Sequence, residues 1–318
     1  MRVLITGVSG FAGSHLADYC LTRAGVEVFG SVRDVRRPGN ATHLVERCTL
    51  LACDMRHRES VDEAVRQSQP DVVFHLAAQA SVAASFEDPV GTLMDNAVGQ
   101  LNVIQAVLAL TPAARLLVAG SAYEYGLVRP EENPIDETVP LRPMDPYAVS
   151  KVTQDLFGYQ YALSHRLQAV RVRAFNHTGP RQSTEFVASR FAKLIAEIES
   201  GARAPTLTVG NLAAVRDFTD VRDVVRAYFL AATKGQPGEV YNVGSGAGLT
   251  IQELLDTLIA LSRVPVTVEE DPSLLRPLDV PTLICDATKL HQHTGWAPEI
   301  HLDRTLSDLL NHWRTALA

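Results

Sequence analysis

The chain opens with an apolar run, Arg2-Val3-Leu4-Ile5-Thr6. It leads straight into Gly7-Val8-Ser9-Gly10-Phe11-Ala12-Gly13 and then into a helical pattern over residues 12–23. A buried strand, a glycine turn and a helix in that order leave few folds open. The glycines permit a tight turn and let backbone approach a pyrophosphate, whose charge the helix N-terminus stabilises. Gly7, Gly10, Phe11, Ala12 and Gly13 are therefore candidate contacts for a dinucleotide. Their spacing is Gly-x-x-Gly-x-x-Gly, not the commoner Gly-x-Gly-x-x-Gly. The position between strand and helix, not the glycine count, carries the reading.

The same alternation continues. Short apolar runs at 26–29, 49–53, 71–76, 115–119 and 168–173 are separated by helical patterns at 60–67, 95–110 and 147–164. Such runs argue for a parallel sheet covered on both faces. The expected fold is α/β, a Rossmann-type doubly wound parallel sheet with a smaller mixed α/β lobe for substrate. Residues 1–175 and about 217–238 are assigned to the dinucleotide-binding unit, and about 176–216 and 239–318 to the lobe. Residues 128–143 read as a proline- and acid-rich surface loop.

Net charge is -7, so the whole molecule offers no basic field for nucleic acid or an anionic membrane. An anionic ligand must then be held by local arginines. Cys20, Cys48, Cys53 and Cys285 have no metal-like spacing and suit a reduced chain. His291 and His293 lack acidic or cysteine partners, so no metal site is expected. We see no signal-peptide layout and no apolar run long enough to span a bilayer, and expect a cytoplasmic protein.

Binders of NAD usually end the second strand with Asp or Glu, which accepts from the ribose hydroxyls. Here that end reads Gly30-Ser31-Val32-Arg33, with Arg36 and Arg37 beyond it. An arginine suits a 2′-phosphate, with Ser31 as a further donor. NADPH is the expected cofactor, and Asp34 leaves NADH open.

Farther on, Asp145-Pro146-Tyr147-Ala148-Val149-Ser150-Lys151 has a helix cap, a first-turn proline and then Tyr147 and Lys151 four apart on one face. An ammonium beside a phenol lowers the tyrosine pKa from its usual ~10. Such a tyrosine can exchange a proton with a carbonyl or hydroxyl oxygen.

Together with Cys53-Asp54-Met55, His75-Leu76-Ala77-Ala78, Asn96, Gly120-Ser121, Arg173-Ala174-Phe175-Asn176, Gly179-Pro180, Arg216-Asp217-Phe218 and Gly295-Trp296-x-Pro298, these residues resemble the extended short-chain dehydrogenase/reductase family over nearly the whole chain. The resemblance implies that Ser121 orients a sugar oxygen, Tyr147 is the acid/base, and Lys151 tunes Tyr147 and holds the nicotinamide ribose. It also places Asp54, Met55, Leu76, Ala77, Ala78 and Asn96 by the cofactor. Dehydratases of this family carry an acidic or hydroxyl residue and then a glutamate where this chain has Ala122 and Tyr123. Glu124 comes one place late, and in an extended segment it would point the other way. Reduction is therefore favoured over dehydration.

Phe175-Asn176-His177-Thr178-Gly179-Pro180-Arg181, the Val209–Asp220 stretch and Leu275-Arg276-Pro277 look closest to the branch that reduces GDP-4-keto-6-deoxy-D-mannose to GDP-D-rhamnose. The resemblance implies a GDP-linked deoxy-keto sugar as substrate and a homodimer paired through helices 95–110 and 147–164. It further implies that Arg216 and Arg276 clamp the diphosphate, Asn176 meets the sugar-proximal phosphate, and Lys193 and Asn211 lie by the nucleoside, with Arg181 a weaker candidate. His177 is expected to be structural. A nucleotide-sugar 4-epimerase with tightly bound NAD uses the same Ser121, Tyr147 and Lys151, and Arg33 argues against it. A GDP-mannose 4,6-dehydratase is the other alternative.

Overall fold

The computed structural model describes residues 1–274 and 280–318. In chain order β1 (Arg2–Thr6), β2 (Glu27–Val32), β3 (Thr49–Ala52), β4 (Val72–His75), β5 (Arg115–Ser121) and β6 (Gln168–Ala174) build the main sheet. Then come β7 (Asn176–Thr178), β8 (Thr206–Val209), β9 (Val215–Asp220) and β10 (Val240–Val243). β10 returns to the main sheet, whose order is β10-β6-β5-β4-β1-β2-β3 with every pair parallel. The chain winds outward from β1 in one direction and from β4 in the other, so a crevice opens at their carboxyl ends.

Period-two alternation sorts the strand residues between two cores. Val3 and Ile5 face one, with Leu16, Ala17 and Cys20 of α1 (Phe11–Leu21). Leu4 faces the other, with Val61 and Val65 of α2 (Arg58–Ser68). The helices α3 (Val82–Glu87), α4 (Pro89–Leu93), a π-helical turn (Met94–Val98) and α5 (Gly99–Leu110) follow. Residues Pro89–Leu110 form one continuous helix that is, against expectation, long and apolar enough to cross a bilayer. Its inner face is nevertheless built for protein: Val103, Ile104 and Val107 lie in the second core, and Asn96 and Gln100 are buried and hydrogen-bonded.

α6 (Pro146–His165) begins as the sequence predicts, with the Asp145 carboxylate accepting from Ala148 N at 2.7 Å. Beyond it, α7 (Val187–Glu199), α8 (Val221–Lys234), β11 (Gly248–Thr250), α9 (Ile251–Ala260), β12 (Thr267–Glu270), β13 (Thr282–Leu283), α10 (Thr288–Thr294) and α11 (Leu302–Leu317) complete the described chain. A smaller sheet joins β11, β9, β13 and β7, and β12 pairs with β8.

Two boundaries expected near 217 and 239 do not follow the strands. β9 starts the 217–238 segment inside the small sheet, and β10, assigned to the lobe, lies in the main sheet. The physical reason is the apolar Val240-Tyr241-Asn242-Val243 run, which covers the open edge of β6. The 128–143 segment is not a plain surface loop either. Ile135 is fully buried, and its backbone pairs with Ile284 and Asp286, strapping this segment to the strand region that follows β13. The tryptophan of Gly295-Trp296-x-Pro298 is also buried and donates to Asp223 O of α8 at 2.9 Å.

Candidate active site

The glycine turn is tight enough to exclude any side chain. Gly7 has φ 72°, and a Cβ there would lie 2.8 Å from Ala77 Cα. A Cβ on Gly13 would lie 2.3 Å from Gly7 O. Backbone is therefore exposed to a ligand at Gly7 and Gly10, and the turn suits a pyrophosphate. Ser31 is largely buried, accepts from Gly7 N at 3.4 Å and so braces the turn, and it also lines the cleft beside it.

Next to the turn lies a cleft of about 500 Å3. Of the expected cofactor residues, Gly7, Gly10, Arg33, Asp54, Met55, Leu76, Ala77 and Ala78 all line it. Arg37, which follows Arg33 and Arg36 in the sequence, lines the cleft too, as does Asp95. Phe11, Ala12 and Gly13 form the first turn of α1 behind this cleft. Asn96 is fully buried, with Oδ1 accepting from Gln79 N at 2.7 Å and Nδ2 donating to Ser150 Oγ at 2.8 Å. It positions the 76–79 loop and does not line the cleft.

Asp34, the residue that left NADH open, is occupied. Arg36 holds it through Nε at 3.1 Å and Nη2 at 3.3 Å and keeps its carboxyl below the usual carboxylate range. These residues fit the adenosine half of a dinucleotide with a cationic group at the end of β2.

Tyr147, Lys151 and Asp155 follow one another along the buried face of α6, at i, i+4 and i+8. Lys151 Nζ donates to Ala119 O at 2.9 Å and lies 5.9 Å from the Tyr147 ring centroid. The expected fall in the tyrosine pKa is not found in the free protein. Burial raises Tyr147 above its ordinary value, with the Ser121 hydroxyl opposing, and burial lowers Lys151 to about 8. Desolvation outweighs the attraction that the spacing alone predicts. At neutral pH Tyr147 is thus a phenol with a proton to give, beside a lysine that is still mostly cationic.

At Glu124 the backbone differs from the extended segment expected. Residues Ala122–Glu124 form a 3-10 turn, not an extended segment. The turn carries Glu124 inward, fully buried, where its carboxylate accepts from Ser121 N at 2.7 Å and Arg173 Nε at 3.2 Å. Gly120 leaves room for it, since a Cβ there would lie 2.2 Å from Glu124 Oε1. Arg173 in turn donates to Asp155 Oδ2 at 2.6 Å, and Arg171 to Asp155 Oδ1 at 3.0 Å. A closed chain of charges therefore links Ser121, through Glu124, Arg173 and Asp155, back to the helix that carries Tyr147 and Lys151. Tyr123 lies edge-on to Tyr147, with ring centroids 6.3 Å apart.

The expected substrate residues are less unified. Asn176 on β7 and Arg216 on β9 belong to the small sheet, and the pairing sets Asn176 beside Phe218. Arg216 is buried and donates to Val215 O at 2.8 Å. Arg276 lies outside the described residues. Arg181 turns toward α1, donating to Asp18 Oδ2 at 2.9 Å, and lines a separate cleft with Gly10, Asn40 and Trp313. Lys193 faces α11, pairing with Glu197 at 3.4 Å and lying over the Trp313 ring. Asn211 is exposed after β8 and caps Ala213 N. His177 bonds Phe175 O and stacks on Phe11, as expected of a structural histidine. His291 Nδ1 meets Trp296 O and His293 Nδ1 meets Tyr241 OH, which accounts for both rings.

A family model described as GDP-mannose 4,6 dehydratase matches residues 4–309. The GDP-6-deoxy-D-mannose reductase of Pseudomonas aeruginosa is 33% identical, with 99% of this chain and 97% of that protein covered. The structure of RMD from Pseudomonas aeruginosa complexed with NADPH superposes with a TM-score of 0.87 at 31% identity, covering 99% of this chain and all of that one. The UDP-glucose 4-epimerase of Thermus thermophilus, complexed with NAD, gives 0.88 at 33% identity, with 99% and 100% covered.

Proposed function

We propose that this chain, which belongs to the GDP-mannose 4,6-dehydratase family, is an NADPH-dependent reductase of GDP-4-keto-6-deoxy-D-mannose that yields GDP-6-deoxy-D-mannose (GDP-D-rhamnose). It is an NAD(P)-dependent oxidoreductase of nucleotide sugars, as its relatives are. One observation carries the choice of reduction over dehydration. The two positions after β5 that carry the acid and base in dehydratases hold Ala122, which is buried, and Tyr123, while Glu124 is turned inward and held by Ser121 N and Arg173. Removing water across a C5–C6 bond needs a base and an acid there, and reduction needs neither.

NADPH supplies the hydride for C4. Tyr147 holds the proton that the carbonyl oxygen takes up, and Ser121 orients that oxygen. Lys151 keeps a positive charge beside the phenol, which favours loss of its proton. Arg216, with Arg276, is assigned to the diphosphate, because two phosphates in a protein of net negative charge need fixed guanidinium forks. Incubation with GDP-mannose and NADP+ should give no 4-keto-6-deoxy product. Its formation at enzymatic rates would restore the dehydratase reading, and interconversion of C4 epimers with NAD retained would restore the epimerase one.

The working form is proposed to be a cytoplasmic homodimer. Cys20, Cys53 and Cys285 are buried free thiols, as a reducing compartment allows. Phe86, Val90, Leu93 and Met94 are exposed on α3, α4 and the π-helical turn, as are Leu156 and Leu163 on α6. The first four precede the 95–110 helix expected at the contact, and within that helix Val103, Ile104 and Val107 face the core. An exposed apolar face of this extent marks an association site, and a twofold axis would make it self-complementary. Sedimentation at micromolar concentration should give twice the chain mass, and Leu163→Glu with Phe86→Glu should give the chain mass. A monomeric parent would remove this assignment.

A further inference from the structure

The adenosine end of the cleft holds a chain of four charges. Asp95 Oδ2 accepts from Arg33 Nη2 at 3.1 Å, and Asp95 Oδ1 lies 3.6 Å from Arg56 Nε. Arg56 grips Asp54 with Nη2 at 2.8 Å and Nε at 3.1 Å. Arg33 is a surface side chain, 72% exposed, whereas Asp95 is only 21% exposed. Asp95 is the fixed partner, since it sits in the π-helical turn next to the locked Asn96. With Asp34 held by Arg36, Asp95 is the carboxylate that neutralises Arg33 in the free protein.

From this geometry we infer that Asp95 is a specificity-determining residue for the cofactor, acting by competition with a 2′-phosphate for Arg33. This rests on the reading of Arg33 as the phosphate ligand. A 2′-phosphate approaching Arg33 must displace a carboxylate that is already hydrogen-bonded to it, and then stay beside that carboxylate's negative charge. An unphosphorylated ribose meets neither obstacle. Asp95 therefore restrains NADPH binding selectively and narrows the gap between the two cofactors, so NADH remains usable. A chain tuned for strict NADPH preference would have no acid at this position.

The test is calorimetric titration of the full-length protein with NADPH and with NADH, repeated with adenosine 2′,5′-bisphosphate and 5′-AMP to isolate the adenosine end. Asp95→Asn should tighten NADPH and the bisphosphate about threefold to fivefold, the upper end of the scale for one partly exposed ion pair. NADH and 5′-AMP should change less than twofold. The gain should shrink in high salt, because the charges are partly exposed. Arg33→Ala should weaken NADPH and the bisphosphate tenfold or more, and most of the gain from Asp95→Asn should vanish in that background. If Arg33→Ala leaves the NADPH/NADH ratio unchanged, the phosphate-ligand reading itself fails. If Arg33→Ala acts as stated but Asp95→Asn leaves NADPH unchanged, or weakens both cofactors alike, the inference about Asp95 alone is overturned. Melting temperatures within about 2 °C of the parent would show that the variants stay folded.

Discussion

Tyr147→Phe is expected to lower turnover at least about a hundredfold, the usual worth of a positioned general acid. The ring is buried on the inner face of α6, so removing one hydroxyl leaves its packing in place. Affinity for the GDP-sugar should change little, because the proton matters in the transition state and not in the ground state. The starting state supports this. Burial keeps the phenol protonated, which is the form a reductase needs at the onset of hydride transfer. Steady-state kinetics would show it, and near-normal turnover would remove Tyr147 from the mechanism.

The largest stability effect is expected at Asp155. Its two carboxylate oxygens receive Arg171 at 3.0 Å and Arg173 at 2.6 Å, and all three side chains are buried. Asp155→Ala removes the carboxylate that both buried guanidiniums share, leaving Arg173 with Glu124 and the Tyr125 hydroxyl and Arg171 with the Gly238 carbonyl. Removing one partner from such a buried set costs roughly 3–5 kcal/mol. For a chain of this length that is about 5–10 °C in melting temperature. A loss below about 1 kcal/mol in chemical denaturation would show that water or Glu124 compensates. Leu163→Ala, on the exposed face of the same helix, should stay within about 0.5 kcal/mol in the monomer.

How far the sequence reached depended on where each residue finds its partners. The main sheet was readable because β1, β4, β5 and β6 are apolar runs whose partners are neighbours in the winding. The small sheet was not, because β7 and β9 carry polar residues satisfied from far along the chain. Asp217 is an example: a fully buried carboxylate that accepts from Ser245 N at 2.8 Å, Gly246 N at 2.8 Å and Cys285 N at 3.1 Å. No periodicity encodes such a hub. Glu124 could have been placed from sequence, since Ser121 followed three residues later by a glutamate is the pattern of a capping box. Lys193 likewise stands four residues before Glu197, the spacing of a helical ion pair. The Tyr147–Lys151 spacing fixed which groups share a helical face, but the balance between burial and attraction is a tertiary property and could not be read there.

The most direct test of the proposed chemistry is a single incubation of the purified protein with GDP-4-keto-6-deoxy-D-mannose and NADPH, followed at 340 nm with identification of the sugar. Absorbance should fall, one NADPH being consumed per sugar, and GDP-6-deoxy-D-mannose should appear. Stable absorbance with the keto-sugar unchanged, while the same protein dehydrates GDP-mannose or epimerises a nucleotide sugar at C4, would contradict it.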